Sequence, residues 1–472
     1  MSFRTLHLWT TACAAALASA CAASSPVPPQ TDPYFPASLT ISPDEKFLFI
    51  ANANSDLKFG AGSVQVYDLD AVDALAKAWK GGKGPVPAGC TADSTHPELA
   101  RCPSTVDGQR AGYVGAAAAQ IGNFVSAIRA QKLTDGTLRL FTTVRGDPSV
   151  TWLDFSPTTG TIDCGGEGDF PRCNDLHHVS AYRNDSNLGI LGSEPFSIAI
   201  DDAREHVVLT HLSTGNVSLL RAPLDHIEAP TLQDTLTGLW AENSRRFISA
   251  VGVAPRKPGD PSDLFYVTSR SEARINVLHA IDTISGDGKR AARLVREDSF
   301  FYAPAPAGNG TDGAARGVTF SADGNRAFVA NRQPSSLMIF DTSLGARGVP
   351  ANQLVGEVGL CPHLTVDVLL TGGPDAVAVI ETPDGPRVYV TCFDIGEVWV
   401  VDVDRARVEA TISVGLGPDS LAVPPANLTT PSHNLAFVGN YGDDTISAID
   451  VDPTSPTYLH TVLQLGKLRG EN

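Results

Sequence analysis

One β-hairpin, written seven times along the chain, constrains the fold more than any other feature. Its clearest copy runs Arg387-Val388-Tyr389-Val390-Thr391-Cys392, turns at Asp394-Ile395-Gly396 and returns as Glu397-Val398-Trp399-Val400-Val401-Asp402. Both runs alternate with a period of two around a turn-forming cluster, the pattern of paired antiparallel strands. Further copies lie at 47–52 with 63–68, 327–331 with 337–341, and 435–440 with 445–450. Less regular ones lie at 138–143 with 149–154, 206–211 with 216–220, and 264–269 with 274–278. A short run of small and β-branched residues precedes each hairpin, as in Ser38-Leu39-Thr40-Ile41 and Ala376-Val377-Ala378-Val379. In the second and fourth copies this run is less regular, around 124–128 and 247–253. Tight turns such as Thr382-Pro383-Asp384-Gly385 join it to the hairpin, Pro presetting φ and Gly accepting positive φ. A fourth strand follows, clearest at 408–415 and 459–465.

Four antiparallel strands repeated seven times predict an all-β fold, a seven-bladed β-propeller over residues 37–470. A lone four-stranded sheet exposes two apolar faces, and packing sheets in a ring buries both without an end repeat. Small residues fall on the innermost strand because the sheets converge at the axis. Helical periodicity is nearly absent, the main candidate being 71–79. The longest insertion, 77–113 with Cys90 and Cys102 inside it, reads as a lid or a partner-binding loop.

The motifs Phe49-Ile50-Ala51-Asn52, Tyr266-Val267-Thr268-Ser269, Phe328-Val329-Ala330-Asn331, Tyr389-Val390-Thr391-Cys392 and Phe437-Val438-Gly439-Asn440 resemble the Tyr-Val-Thr-Asn repeat of exported bacterial seven-bladed propellers. The lead-ins Gly373-Pro374-Asp375 and Gly417-Pro418-Asp419 match that repeat too. So does the Asp that closes the third strand at Asp68, Asp154, Asp341, Asp402 and Asp450. The resemblance covers about residues 36–466. It implies the fold, and it offers by analogy a lactonase-type hydrolase on a similar ring, with no catalytic residue transferable to a numbered position.

The N-terminus reads as an export signal over 1–20: Arg4, an apolar run from Leu6 to Ala18, then Ser19 and Ala20 before Cys21. Leu17-Ala18-Ser19-Ala20-Cys21 also resembles a bacterial lipobox, which makes Cys21 the lipid attachment point; ordinary cleavage after Ala20 is the alternative. Residues 21–36, rich in Ser, Pro and Gln, are expected to be a flexible tether. Two of the 8 cysteines lie in this leader. The rest fall in local couples, Cys90 with Cys102, Cys164 with Cys173 and Cys361 with Cys392, a pairing preferred because it closes short loops. Such bridges belong to an oxidising compartment, so the expected location is the periplasm or outer cell surface. Beyond the leader no stretch of about 20 apolar residues occurs, and a lipid is the only membrane attachment expected. With 52 acidic against 35 basic residues and a net charge of −17, nucleic acid is an unfavourable partner.

Chemistry is less legible than fold. The sequence has no nucleophile elbow, Walker loop, His-Glu-x-x-His site or haem-attachment motif. No metal or cofactor is expected. The pair His177-His178, near Cys173 and Asp175, points to opposite sides of an extended chain and is read as loop structure. Arg145-Gly146-Asp147 is read as a hairpin turn, and the third-strand aspartates as strand-end structure. Arg316, Asp375 and Asp419 stand apart. Each lies two residues before a short inner strand, on the loop that feeds it, where such loops surround one mouth of a central channel. Mixed charge converging on a concave mouth makes them the ligand-binding candidates. The leading expectation is therefore a lipid-anchored, non-catalytic binding or scaffold module of the cell envelope, its partner a protein, a glycan or a small ligand. The alternatives are a lactonase-like hydrolase and a propeller supporting periplasmic redox chemistry.

Overall fold

Every hairpin of the repeat becomes the two middle strands of a four-stranded antiparallel sheet. The structure, a computed structural model, describes residues 25–180, 191–240, 249–259, 264–284, 290–302, 314–364, 369–424 and 432–470. The expected signal at 1–20 and Cys21 lie outside the described residues. Blade 1 comprises Pro36–Ile41, Phe47–Asn52, Gly62–Asp68 and Val114–Ile121, from the axis outward. Blade 7 comprises Pro418–Ala422, Leu435–Asn440, Thr445–Asp450 and Thr461–Gly466. The seven-bladed propeller read from the repeat is the fold observed.

Seven apolar clusters fill the molecule, one at each seam between neighbouring blades. Phe328 and Val358 of blade 5 meet Val379, Val388 and Val401 of blade 6. Tyr266 and Val277 of blade 4 meet Phe320, Val329 and Phe340 of blade 5. The last seam closes the circle: Leu48, Ile50 and Tyr67 of blade 1 pack on Phe437, Ile446 and Leu463 of blade 7. Period-two alternation in the middle strands has its cause here, because alternate side chains enter the seams on either side. Each fully buried Val, Leu or Phe contributes roughly 1.5–3 kcal/mol.

The closing seam carries extra fastenings. Helix α1 (Leu69–Trp79) starts at Asp68, whose side chain accepts from the Ala71 amide, and ends at Lys80 in the left-handed conformation. Leu69, Val72 and Trp79 are buried in the seam between blades 7 and 1. The insertion then crosses to the far side of the seam. Its strand Ala100–Cys102 adds in parallel to the outer edge of blade 7, pairing Leu463 with Ala100 and Leu465 with Cys102. Thr91–Ala92 pairs outside it, and the Cys90–Cys102 disulfide ties the two together. The segment expected to be a lid or partner loop is thus a clasp between the first and last blades. Its apolar residues Ala100, Cys102 and Tyr113 lie buried in the seam.

Residues 25–35, within the stretch whose composition favoured a flexible tether, are held against blade 1 and reach blade 7. Gln65 Nε2 donates to the carbonyls of Pro29 and Asp32, at 3.0 and 2.9 Å. Tyr34 and Phe35 are buried, and the Phe35 amide donates to Asp444 of blade 7 at 2.8 Å. Arg469 stacks its guanidinium on the Phe35 ring and donates to Asp444 as well. The other two disulfides join Cys164 to Cys173 and Cys361 to Cys392. All three pairs agree with local loop closure, and bridges of this kind fit an oxidising compartment.

Candidate functional site

The inner strands begin with a shared irregularity. In blade 5 (Ala315–Phe320), Ala315 faces Asn331 and Val318 faces Val329, so the inner strand carries one residue more than its partner. Blade 6 (Pro374–Thr382) repeats this between Pro374 and Val377, and blade 7 between Pro418 and Ser420. A bulge of this type bends the strand and re-aims a side chain. Arg316, Asp375 and Asp419 occupy these bulges. They lie within the strands, one position past the strand start, and not on the preceding loops: the bulge lets pairing begin before the regular alternation does.

The repeat motif explains why the bulges are held so firmly. Its threonine hydrogen-bonds the bulge of its own blade and, in two cases, that of the next. Thr268 Oγ1 accepts from the Gly252 amide at 2.9 Å and donates to the Arg316 carbonyl at 2.5 Å. Thr210 accepts from the Ser197 amide and donates to the Val251 carbonyl, both at 3.1 Å. Thr391 accepts from the Ala376 amide at 2.9 Å. Asparagines closing the motif hold the lead-in: Asn331 accepts from the Ala314 amide and Asn440 from the Gly415 amide, each at 3.1 Å. In blade 6 the Asn position is Cys392, and its disulfide to Cys361 ties the strand end to the preceding segment. Gly373, at φ 69°, leads into Pro374-Asp375; a Cβ there would stand 2.5 Å from an Asp394 carboxylate oxygen.

The three candidates line one cavity of about 160 Å³ in the central bore. The corresponding positions of blades 1 to 4 give the same cavity Ala37, Ser126, Phe196 and Val251. At this one position the charges therefore come from blades 5 to 7, and blades 1 to 4 give short or apolar side chains. Arg332, at the end of the middle strand Arg326–Arg332, forms an ion pair with Asp375 and donates to the Pro374 carbonyl at 3.2 Å. Arg316 has no such carboxylate: it forms no ion pair among the described residues, and its Nε is buried without a hydrogen-bond partner there. Burial holds its guanidinium below the ordinary value, Asp375 and Asp419 pulling against that. Asp419 keeps part of its surface open to the bore, yet protein encloses it. That burial, with the neighbouring Asp375 carboxyl, pushes Asp419 up to about 7 against the pull of Arg332 and Arg316.

Two arginines of this site escape sequence reading. Arg332 falls one residue past the expected strand end at 331. Arg129 lies inside the inner strand of blade 2 (Val125–Lys132), beyond the loosely patterned stretch. It lines the cavity at the mouth and a second one of about 570 Å³ further along the bore. Its Nη1 donates to the Ile128 carbonyl at 2.8 Å, and it has no ion pair among the described residues. The protein packed around it lowers it from the ordinary arginine value, although its side chain keeps a good part of its surface open to the bore.

The remaining motifs take structural places. His177 stacks on Trp152 with ring centroids 5.1 Å apart, while His178 begins a short strand, His178–Ser180, paired with the third strand of blade 2. Arg145-Gly146-Asp147 is the hairpin turn of that blade, with Arg145 bonded to Glu194 at 2.8 Å. The third-strand aspartates hold local structure: Asp154 receives a bidentate pair from buried Arg139, and Asp402 accepts from the Arg405 amide.

No protein-family model matches the chain, and no curated protein matches it. Among solved structures it is similar to the periplasmic gluconolactonase PpgL of Pseudomonas aeruginosa, at 16% identity over 81% of this chain and 86% of that one, with a TM-score of 0.49. It is also similar to a putative 6-phosphogluconolactonase from Bacteroides fragilis, at 13% identity over 82% and 86%, TM-score 0.46. Hydrazine synthase of Kuenenia stuttgartiensis is a third such structure, at 14% identity over 89% and 97%, TM-score 0.47. These likenesses concern the propeller fold alone.

Proposed function

We propose that this protein is an exported binding module that holds a small anionic ligand in the mouth of its central bore. Export rests on the leader at 1–20 and the three disulfides, and anchoring on lipidation of Cys21. The observation that carries the ligand reading is Arg316: a guanidinium in a water-accessible cavity, largely desolvated, with no carboxylate of its own. Charge-assisted hydrogen bonds to a ligand acid would supply what the protein does not. The cavity holds on the order of ten waters, so the ligand is a small molecule and not a polymer. Calorimetric titration of the purified protein with succinate and with inorganic phosphate tests this. Binding of at least one is expected, weakened about tenfold or more in Arg316→Ala at an unchanged melting temperature. Failure of both anions to bind the parent protein would end the reading.

One observation favours a second reading, lactone hydrolysis. Burial and the neighbouring Asp375 carboxyl push Asp419 up to about 7, and such a couple divides acid and base work between two groups. Turnover of simple aldonolactones that disappears in Asp419→Asn would support it; equal turnover in both proteins would remove Asp419 from any chemistry.

A further inference from the structure

The mouth cavity contains two arginines without carboxylates, and they come from opposite walls. Arg316 is on the inner strand of blade 5 and Arg129 on that of blade 2, three blades apart in a ring of seven. Both side chains line the same cavity of about 160 Å³. Arg129 stands three residues past Ser126, its blade's bulge residue, so it enters from lower in the bore while Arg316 enters at the rim. The other charges facing the space are accounted for. Asp375 is matched by Arg332, and Asp419, raised to about 7, carries only part of a charge at neutrality. The same cavity has short side chains or none at Ala37, Ala127, Gly252, Gly317 and Ala376.

Resting on the anion reading above, we propose that the ligand carries two acidic groups and spans the bore, one acid held by Arg316 at the rim and the other by Arg129 on the facing wall. A single acid would leave one of the two guanidiniums without a carboxylate and forgo a second charge-assisted pair. A short dicarboxylate satisfies both. An aliphatic chain of four to six carbons with two carboxylates has roughly as many heavy atoms as the cavity holds waters. The small residues of the cavity accept its methylene stem, and Phe196 offers an apolar side wall.

The experiment compares butyrate with succinate, glutarate and adipate by calorimetry, on the parent protein, Arg129→Gln and Arg316→Gln. At least one dicarboxylate is expected to bind tenfold or more tightly than butyrate in the parent. Arg129→Gln should lose that advantage and bind the dicarboxylate and butyrate about equally, and Arg316→Gln should weaken both. Thermal melts of each variant establish that it is folded, and Arg129→Lys, which keeps the charge, should recover part of the advantage. Equal binding of mono- and dicarboxylates by the parent, or an Arg129→Gln protein that keeps the preference, overturns the two-acid ligand while leaving the single-anion site standing. If none of the four probes nor phosphate binds, the anion reading itself is what fails.

Discussion

Asp419 is the residue whose environment costs the fold most visibly. Its carboxyl rises from an ordinary 3.8 to about 7, chiefly because burial disfavours the charge. A carboxyl raised in this way keeps its proton in the folded state where the unfolded chain has released it. The contribution of Asp419 to folding stability is therefore complete below about pH 4, falls as the pH rises through the window to about 7, and is level above it. Asp419→Asn removes the penalty. Urea melts should show the variant gaining on the parent from pH 4 to pH 7, by up to a few kcal/mol, and holding that gain at higher pH. A difference that does not change across the window would show that Asp419 titrates as an ordinary surface acid. Arg316, Asp375 and Asp419 are legible in the sequence because Pro-Asp and small-residue runs mark where inner strands begin. Arg129 and Arg332 are not. Which way a residue on an innermost strand points depends on the bulge upstream, and a one-residue bulge leaves no mark in the hydrophobic pattern.

At the scale of elements, six of the seven hairpins are readable to within two residues, and the pair at 435–440 and 445–450 has the bounds expected of it; in blade 4 the returning strand, expected at 274–278, runs from Arg274 to Ile284. The inner strand of blade 4 departs from its expected place. It is Val253–Pro255, a three-residue strand, where the pattern pointed to a stretch around 247–253. The clasp escapes the pattern for a different reason. Its strand pairs Ala100 with Leu463, and no local pattern announces a partner so distant in sequence. The Cys90–Cys102 bridge, 12 residues apart, holds the clasp in its folded path. Replacing both cysteines by serine should cost about 2–4 kcal/mol and lower the melting temperature. Hydrogen exchange should then quicken at 100–102 and along 461–466 together. Faster exchange confined to 91–99 would mean that the strand stays on blade 7 without its bridge.

For the whole molecule, stability depends on the circle being closed. Every blade has an apolar seam on both sides, so opening one seam exposes two faces at once. Asp444, in the hairpin turn of blade 7, ties the N-terminal segment to that blade. Its side chain is 2% exposed and receives the Phe35 amide and the Arg469 guanidinium. Asp444→Ala leaves the Phe35 amide without an acceptor and Arg469 with the Tyr441 carbonyl alone, and should cost about 2–3 kcal/mol. Calorimetry is expected to show one cooperative transition at a lower temperature. A separate early transition, with blades 1 and 7 melting ahead of the rest, would show that the ring does not unfold as a unit.

Each wedge is spelled by a stretch of chain that starts at the axis and finishes at the rim, and the side branch between Trp79 and Tyr113, inserted in the first, adds a strand to the sheet of the last. A gene organised in this way can be re-cut: with the present ends linked, any turn between two wedges offers a new starting point that divides no sheet. The same layout lets whole wedges be copied or exchanged as cassettes. The first and last wedges are the exception, because the branch binds them into an inseparable pair.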